Sequence, residues 1–304
     1  MRVLLTGGTG FIGRPLCRWL AEHGHTVFVL TRHPEQATRA IPQISRAFPW
    51  DGRWGTPPPE SFAGVDAVVN LLGHSIGGRA TPARKSAVRE SRLQGTSHLV
   101  DALERLPSRP RLLINASAIG YYGDRGDETL DESSPPGDGF MARLCRDWEG
   151  EAMRAEGLGL QVTRLRIGIV LDGSGGALRR MLPLFRLGLG GPLGSGRQWW
   201  SWISRSDLIA MIALLLERPR PGPVLAAAPA PVRQRDFARA LGATLDRPVL
   251  MPVPAFLLRL VLSDFADLIL ESARAHPREA LALGFAFRYP AIEEALRAAL
   301  TPGD

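Results

Sequence analysis

Arg2-Val3-Leu4-Leu5-Thr6-Gly7-Gly8-Thr9-Gly10-Phe11-Ile12-Gly13 opens the chain, and its reading decides the fold. Arg2 to Thr6 is a short apolar run of the kind that forms a parallel strand buried on both faces. An amphipathic stretch from Arg14 to Glu22 follows, closed by Gly24 as a helix C-cap, and a second apolar run covers Thr26 to Leu30. Strand, glycine turn, helix and strand at this spacing form a βαβ unit. Gly7 and Gly10 let the backbone approach a diphosphate, Gly13 lets the helix pack closely on the sheet, and the helix N-terminus faces the phosphates. The motif sits in the strand–turn–helix context that it requires, so the chain reads as a dinucleotide-binding α/β protein. The turn residues Gly7, Thr9, Gly10, Phe11, Ile12 and Gly13 are its first cofactor-binding set.

The end of the second strand distinguishes the dinucleotides. An NAD site places a carboxylate there for the ribose hydroxyls, whereas an NADP site places a cation near the 2′-phosphate. Here the chain reads Leu30-Thr31-Arg32, with no acid before Glu35. The planar fork of Arg32 suits a phosphate, and Thr31 can add a hydroxyl. NADP(H) is therefore the expected cofactor.

Composition excludes several other classes. The 304 residues are 45% hydrophobic, enough for a core and against disorder. Lys85 is the only lysine, so 36 of the 37 basic residues are arginine, and the net charge is +7. The arginines are scattered without a basic run, so the charge does not mark a nucleic-acid interface. The two cysteines, Cys17 and Cys145, are too few and too far apart for a disulfide framework or zinc site, and the six histidines do not cluster. No metal is expected. No apolar stretch reaches the length of a membrane span and no signal-peptide layout is present, so the expectation is a soluble, cytoplasmic protein without a membrane partner. Nothing in the pattern fixes an oligomeric state.

Further segments carry a family resemblance. Asn70-Leu71-Leu72-Gly73 ends a strand from Ala67, Arg84-Lys85 and Ser91 to Thr96 lie on the next helix, and Ser117 to Gly123 follows a strand at Leu112 to Ala116. Later come the glycine-rich stretch Arg186 to Gln198 and Trp202-Ile203 with Asp207-Leu208. Together with the opening turn, these resemble an extended short-chain dehydrogenase/reductase of the epimerase-like subgroup that carries a small C-terminal domain of unknown function. The resemblance runs from residue 1 to about 300. It implies that Leu71 and Leu72 line the cofactor with their backbone, that Arg92 faces its nicotinamide half where many extended reductases carry Asn, and that Val170 approaches the nicotinamide. Simple packing is the other reading of Leu71, Leu72 and Val170. Two departures stand out: Leu72 replaces the smaller Ala usual in the subgroup, and His74 replaces a usual Glu.

The same resemblance demands a Tyr with a Lys four residues later, the phenol acting as acid or base and the ammonium lowering its pKa. The helix that should bear them, Phe140 to Glu149, offers Phe140 and Leu144 in one register and Met141 and Cys145 in the other. None of the three tyrosines (Tyr121, Tyr122 and Tyr289) has lysine at that offset. Ser117 matches the substrate-orienting hydroxyl of the superfamily. Tyr121 or Tyr122 could supply a phenol in place of the lost one, or could be aromatic packing. Cys145 reads better as an inert buried thiol than as a nucleophile.

The second half reads as a lid. Arg197 and Trp199, which follow the glycine-rich loop, are candidates to hold an anionic or planar substrate; the alternative is a hydrophobic joint between domains. Helices are expected at Arg233–Leu245, Ala255–Leu262, Phe265–Ala275 and Ala291–Leu300. The predicted architecture is a doubly wound parallel α/β sheet over residues 1–170, receiving later segments near 200–230, with a smaller, mostly helical substrate domain over 171–304. The implied function is an NADP(H)-binding oxidoreductase or epimerase-like enzyme for an unidentified small molecule. The alternative is a non-catalytic NADP(H)-sensing interaction protein.

Overall fold

The computed structural model describes residues 1–301. The first half alternates strands and helices: β1 (Arg2–Thr6), α1 (Gly13–Glu22), β2 (Thr26–Thr31), α2 (Pro34–Ala40), β3 (Arg46–Pro49), β4 (Ala67–Asn70), α3 (Pro82–Glu104), β5 (Leu112–Ala118), β6 (Thr129–Leu130), α4 (Gly139–Met153) and β7 (Gln161–Ile167). The second half runs β8 (Ile169–Leu171), α5 (Gly176–Arg186), β9 (Trp199–Trp200), β10 (Trp202–Ser204), α6 (Arg205–Glu217), β11 (Gly222–Ala226), β12 (Val232–Arg233), α7 (Gln234–Thr244), α8 (Ala255–Leu262), α9 (Asp267–Leu270), β13 (Arg274–Ala275), α10 (Arg278–Ala282) and α11 (Ile292–Leu300).

Seven strands form one parallel sheet in the order β11-β7-β5-β4-β1-β2-β3. Alternate side chains of the central strands feed two cores, as the pleat requires. Val3, Leu5 and Ile114 pack with Leu16 and Leu20 of α1 and Leu208 and Ile212 of α6. Leu4, Val68 and Leu113 pack on the other face with Leu99 and Leu103 of α3 and Ala152 of α4. Helices on both faces explain why these strands read as continuous apolar runs rather than alternating ones.

The strand order reverses between β1 and β4, where the chain departs to β2 and β3 on one side and to the remaining strands on the other. This reversal opens a crevice at the carboxyl ends of the strands, the place where open α/β sheets take ligands. A buried polar network closes its floor. Thr6 donates to Asn70 at 2.5 Å, and Asn70 in turn donates to Asn115 at 2.6 Å and Thr96 at 3.0 Å. The Trp148 indole donates to the same Thr96 hydroxyl at 2.9 Å. Three strands and two helices are thereby locked at one point, with most of these polar atoms partnered.

The chain crosses the 170 boundary repeatedly. β11 pairs with β7 at the sheet edge, α6 covers the sheet, and Ala280, Leu283 and Phe285 return to the same core. A separate core forms the second lobe, where Leu178, Leu182 and Phe185 of α5 meet Trp200, Trp202, Phe237, Leu241 and Leu296.

One expected element differs. In place of a helix from Phe265 to Ala275, the structure has a 3₁₀ turn (Ser263–Ala266), the short α9, and the strand β13 paired with β6. Ser272 is the cause. Its N–H donates to Asp124, its hydroxyl donates to the Gly126 carbonyl, and that hydroxyl accepts from the Trp199 N–H. These tethers hold Glu271 onward extended and override local helix propensity. Elsewhere the expected helices fall within a residue of those observed, at Gln234–Thr244, Ala255–Leu262 and Ile292–Leu300.

Trp202 is fully enclosed in the second lobe, and its indole N–H donates to the Ala230 carbonyl at 3.1 Å. Trp202→Ala should destabilise the protein by about 3–5 kcal/mol through the cavity left behind. Urea unfolding with an unchanged slope would show it.

Candidate functional site

The glycine turn after β1 is built by exclusion of side chains. Gly7 has φ +65°, and a Cβ there would lie 2.6 Å from the Leu71 carbonyl oxygen. A Cβ on Gly13 would lie 2.2 Å from the Gly7 oxygen, so both positions require glycine for close approach. The turn closes through a Gly10 N–H to Gly7 carbonyl bond of 2.9 Å. No side chain caps the start of α1, and no acid occupies its first turn. The positive end of the helix is therefore left for an external anion. This cradle fits a dinucleotide diphosphate.

From the turn a cleft of about 850 Å³ runs across the ends of β4, β5 and β7 to the first turn of α5. Gly10, Phe11, Ile12, Leu71, Leu72, Arg92 and Ser117, all singled out in the sequence, line it together. Gly7 and Gly13 stand behind the wall as packing positions. Thr31 and Arg32 lie at the end of β2, where Arg32 is exposed and has no hydrogen bond or ion pair among the described residues. Thr31 keeps its hydroxyl on the His33 N–H at 3.3 Å. Val170 sits in β8, half-buried, and packs against the main core.

The large Leu72 side chain turns away into a slot between Gly52 and Gly95, where a Cβ on either would come within 2.5 Å of its methyl groups. Two glycines thus absorb the volume that the replacement of Ala adds. His74 and Arg92 are joined, Arg92 Nη1 donating to the His74 carbonyl at 3.1 Å.

Ser117, at the end of β5, is the most elaborately supported side chain in the cleft. Its hydroxyl donates to Glu149 of α4 at 2.7 Å. Arg166 of β7 grips the same carboxylate with two bonds, 2.9 Å and 3.0 Å. Its remaining nitrogen donates to the Tyr122 hydroxyl at 2.8 Å, and Tyr122 donates to the Asp131 carbonyl at 2.8 Å. Both members of the ion pair are almost wholly buried. Burial opposes the Arg166 charge, but the Glu149 carboxylate outweighs it and holds the guanidinium above its ordinary pKa. A carboxylate can only accept, so the Ser117 hydroxyl donates its proton to Glu149 in this arrangement.

The two tyrosines do not reach the cleft. Tyr122 is fully buried with its hydroxyl engaged at both ends, and burial pushes its phenol upward. Tyr121 stacks on Arg166, with the guanidinium carbon 3.5 Å from the ring centroid. The aromatic-packing alternative describes both. On α4, Met141, Leu144 and Cys145 are buried. Burial pushes the Cys145 thiol up to about 12, which leaves it unreactive at neutral pH.

Arg197 and Trp199 also stand outside the cleft. The Trp199 indole donates to Asp127 at 3.0 Å, between the guanidinium groups of Arg233 at 4.1 Å and Arg274 at 4.8 Å. Arg197 is exposed, and its carbonyl accepts from Arg233. β9 pairs with β12 there.

Sequence reasoning missed Ser75, Ile76, Trp148, Gly175, Gly176, Arg179 and Arg180, which complete the cleft. Gly175 and Gly176 pack on the Phe11 ring, where a Cβ on Gly175 would come within 2.3 Å. That meeting of Gly175 and Gly176 with Phe11 is a tertiary event. Among the described residues, no group of His, Cys, Asp or Glu side chains is placed to hold a metal ion, and no helix is long and apolar enough to cross a membrane.

A doubly wound sheet with a glycine cradle at its strand-order reversal defines a dinucleotide-binding class. Comparison with known proteins makes this specific. Residues 3–226 match the NAD dependent epimerase/dehydratase family, and residues 253–299 match a domain of unknown function, DUF1731. The chain belongs to that epimerase/dehydratase family. It is 40% identical to the chloroplastic epimerase family protein SDR39U1 homolog of Arabidopsis thaliana, over 98% of this chain and 86% of the relative. It is 36% identical to epimerase family protein SDR39U1 of Mus musculus, over 98% and 99%. Among solved structures, the human epimerase family protein SDR39U1 (isoform 2) with NADPH superposes with a TM-score of 0.88 at 34% identity, covering 98% of this chain and 99% of that one. A UDP-glucuronic acid 4-epimerase from Bacillus cereus with NAD, at 15% identity and TM-score 0.78, shares the fold.

Glu149→Ala should cost about 3–5 kcal/mol of stability, because it leaves Arg166 buried without its counter-charge. Denaturant unfolding measures this. Ser117→Ala, which removes one bond but no charge, should cost less, about 1–2 kcal/mol.

Proposed function

We propose that this protein binds NADPH in the cleft and acts as an NADP-dependent oxidoreductase or epimerase-like enzyme on a small molecule. The observation that carries the reading is the side-chain-free turn at an uncapped helix start, with the unpaired Arg32 at the end of the next strand. The NADPH in the solved human relative, which matches this chain along nearly its whole length, supports it. In this reading the amides at Phe11, Ile12 and Gly13 hold the diphosphate, Arg32 and Thr31 take the 2′-phosphate, and the backbone at Leu71 and Leu72 lines the ribose side. When bound, the nicotinamide supplies or accepts hydride. The protein contributes the Ser117 hydroxyl to orient the substrate, held by the buried Glu149–Arg166 pair.

A second reading, an NADPH-dependent interaction protein without turnover, draws on the apolar positions of α4 where an acid/base pair would stand. Incubation with panels of aldehydes, ketones and quinones separates the two. Consumption of NADPH absorbance by any carbonyl supports the enzyme; full retention of the cofactor across broad panels supports the second reading.

Arg32→Glu should weaken NADPH binding by about ten- to a hundredfold, the worth of charge-assisted hydrogen bonds, and leave NADH affinity nearly unchanged. Calorimetry with both cofactors checks it. Equal loss for both would remove Arg32 from phosphate recognition.

A further inference from the structure

Helix α8 has eight residues, Ala-Phe-Leu-Leu-Arg-Leu-Val-Leu, and none of them is buried. Its inner side is already apolar. Ala255 lies beside Gly194, and Leu262 packs on the cluster around Met141 and Phe265. The outer side is apolar too. Phe256, Leu257, Leu260 and Val261 are spaced so that they form one stripe, at 68%, 40%, 63% and 63% exposure. A surface helix ordinarily turns polar residues to water, and here Arg259 is the only one available.

The exposed apolar surface continues into two neighbouring segments. Leu250 and Met251 precede α8, and their N–H groups both donate to the Gly190 carbonyl in the loop after α5. That loop and the last turn of α5 expose Leu184, Leu187 and Leu189. Val253 binds back to the same loop, accepting from the Gly194 N–H and donating to the Pro192 carbonyl, so the three segments lie side by side. Nine of the twelve large apolar side chains exposed among the described residues belong to them, which makes this a patch rather than a scatter.

We propose that this face is a dimer interface, covered by a second copy of the chain related by a two-fold axis. Size is the first argument. The nine residues expose roughly 900 Å², beyond the roughly 300–600 Å² of the largest patch on a typical monomer and close to the about 800 Å² per partner of a standard stable interface. Charge is the second. None of the nine is charged and Arg259 is the one ion on the outer part of α8, so two identical faces meet without opposing like charges across their centre. An acidic or polar partner would leave most of the patch unmatched, whereas the same apolar face matches it throughout. Dimerisation also braces one wall of the cleft, because the Leu262 carbonyl accepts from the Ala80 N–H, four residues after Ile76 of the lining. The interface is independent of the cofactor reading.

Sedimentation equilibrium of the purified full chain, from low to high micromolar concentration, should give a dimer. Phe256→Glu/Leu260→Glu should raise the dissociation constant at least about a hundredfold, with an unchanged far-ultraviolet circular dichroism spectrum because both side chains are exposed. Leu187→Glu, on the other helix, should weaken the dimer at least about tenfold, as expected if α5 and α8 share one interface. A chain that stays monomeric throughout, or a dimer indifferent to either variant, would overturn the interface. Flotation with phosphatidylglycerol vesicles is the companion measurement. A monomeric wild type that floats, and a Phe256→Glu/Leu260→Glu chain that does not, would assign the face to a lipid surface and overturn the dimer as well.

Discussion

Close approach of backbone to backbone at the glycine turn is the constraint on which this structure depends. The Gly7 carbonyl accepts from Gly10 and occupies the space that a Gly13 side chain would need. That contact seats α1, whose N-terminus carries no side-chain cap, on the sheet. It also brings the end of β1 beside Leu71 at the end of β4. The crevice opens at the reversal of strand order, and the missing side chains of Gly7 and Gly13 let the turn sit close at its edge.

A second constraint is electrostatic and lies one strand away. The Glu149–Arg166 pair is buried, and burial of a pair of charges is seldom a gain in stability over apolar packing. What it provides here is orientation. It fixes the Ser117 proton, ties α4 to β5 and β7, and draws Tyr122 out of contention as an acid by engaging its hydroxyl. On α4, Met141, Leu144 and Cys145 form a buried apolar surface beside this charge network.

The two halves of the chain are less separable than a boundary at residue 170 suggests. β11 and α6 complete the sheet, and the segment around Ala280 to Phe287 returns to its core. The second lobe contributes the wall opposite the glycine turn through Gly175, Gly176, Arg179 and Arg180. The contact of Phe11 with Gly175 joins the two lobes at the turn itself, so a shift of α5 would be felt where the diphosphate is held.

Several features were determined by the sequence alone because their causes are local. The run Arg2 to Thr6, the glycines behind it and the amphipathic Arg14 to Glu22 state a strand, a turn and a helix in contiguous residues, and a dinucleotide-binding fold follows from them. The absence of a Tyr–Lys pair is a fact of residue order. Tertiary structure decided what depends on distant partners. Ser272, tied to Asp124, Gly126 and Trp199, turned an expected helix into a strand. Glu149 and Arg166, neither of which forms a motif, determined what Ser117 can offer, and glycines at 52 and 95 determined where Leu72 points. Arg197 and Trp199 adjoin in sequence, and in the fold the Trp199 indole donates to Asp127 while the Arg197 carbonyl accepts from Arg233. Sequence spacing records helical and strand periodicity; it carries no record of which buried donor meets which acceptor across tens of residues, and that pairing sets the chemistry of the cleft.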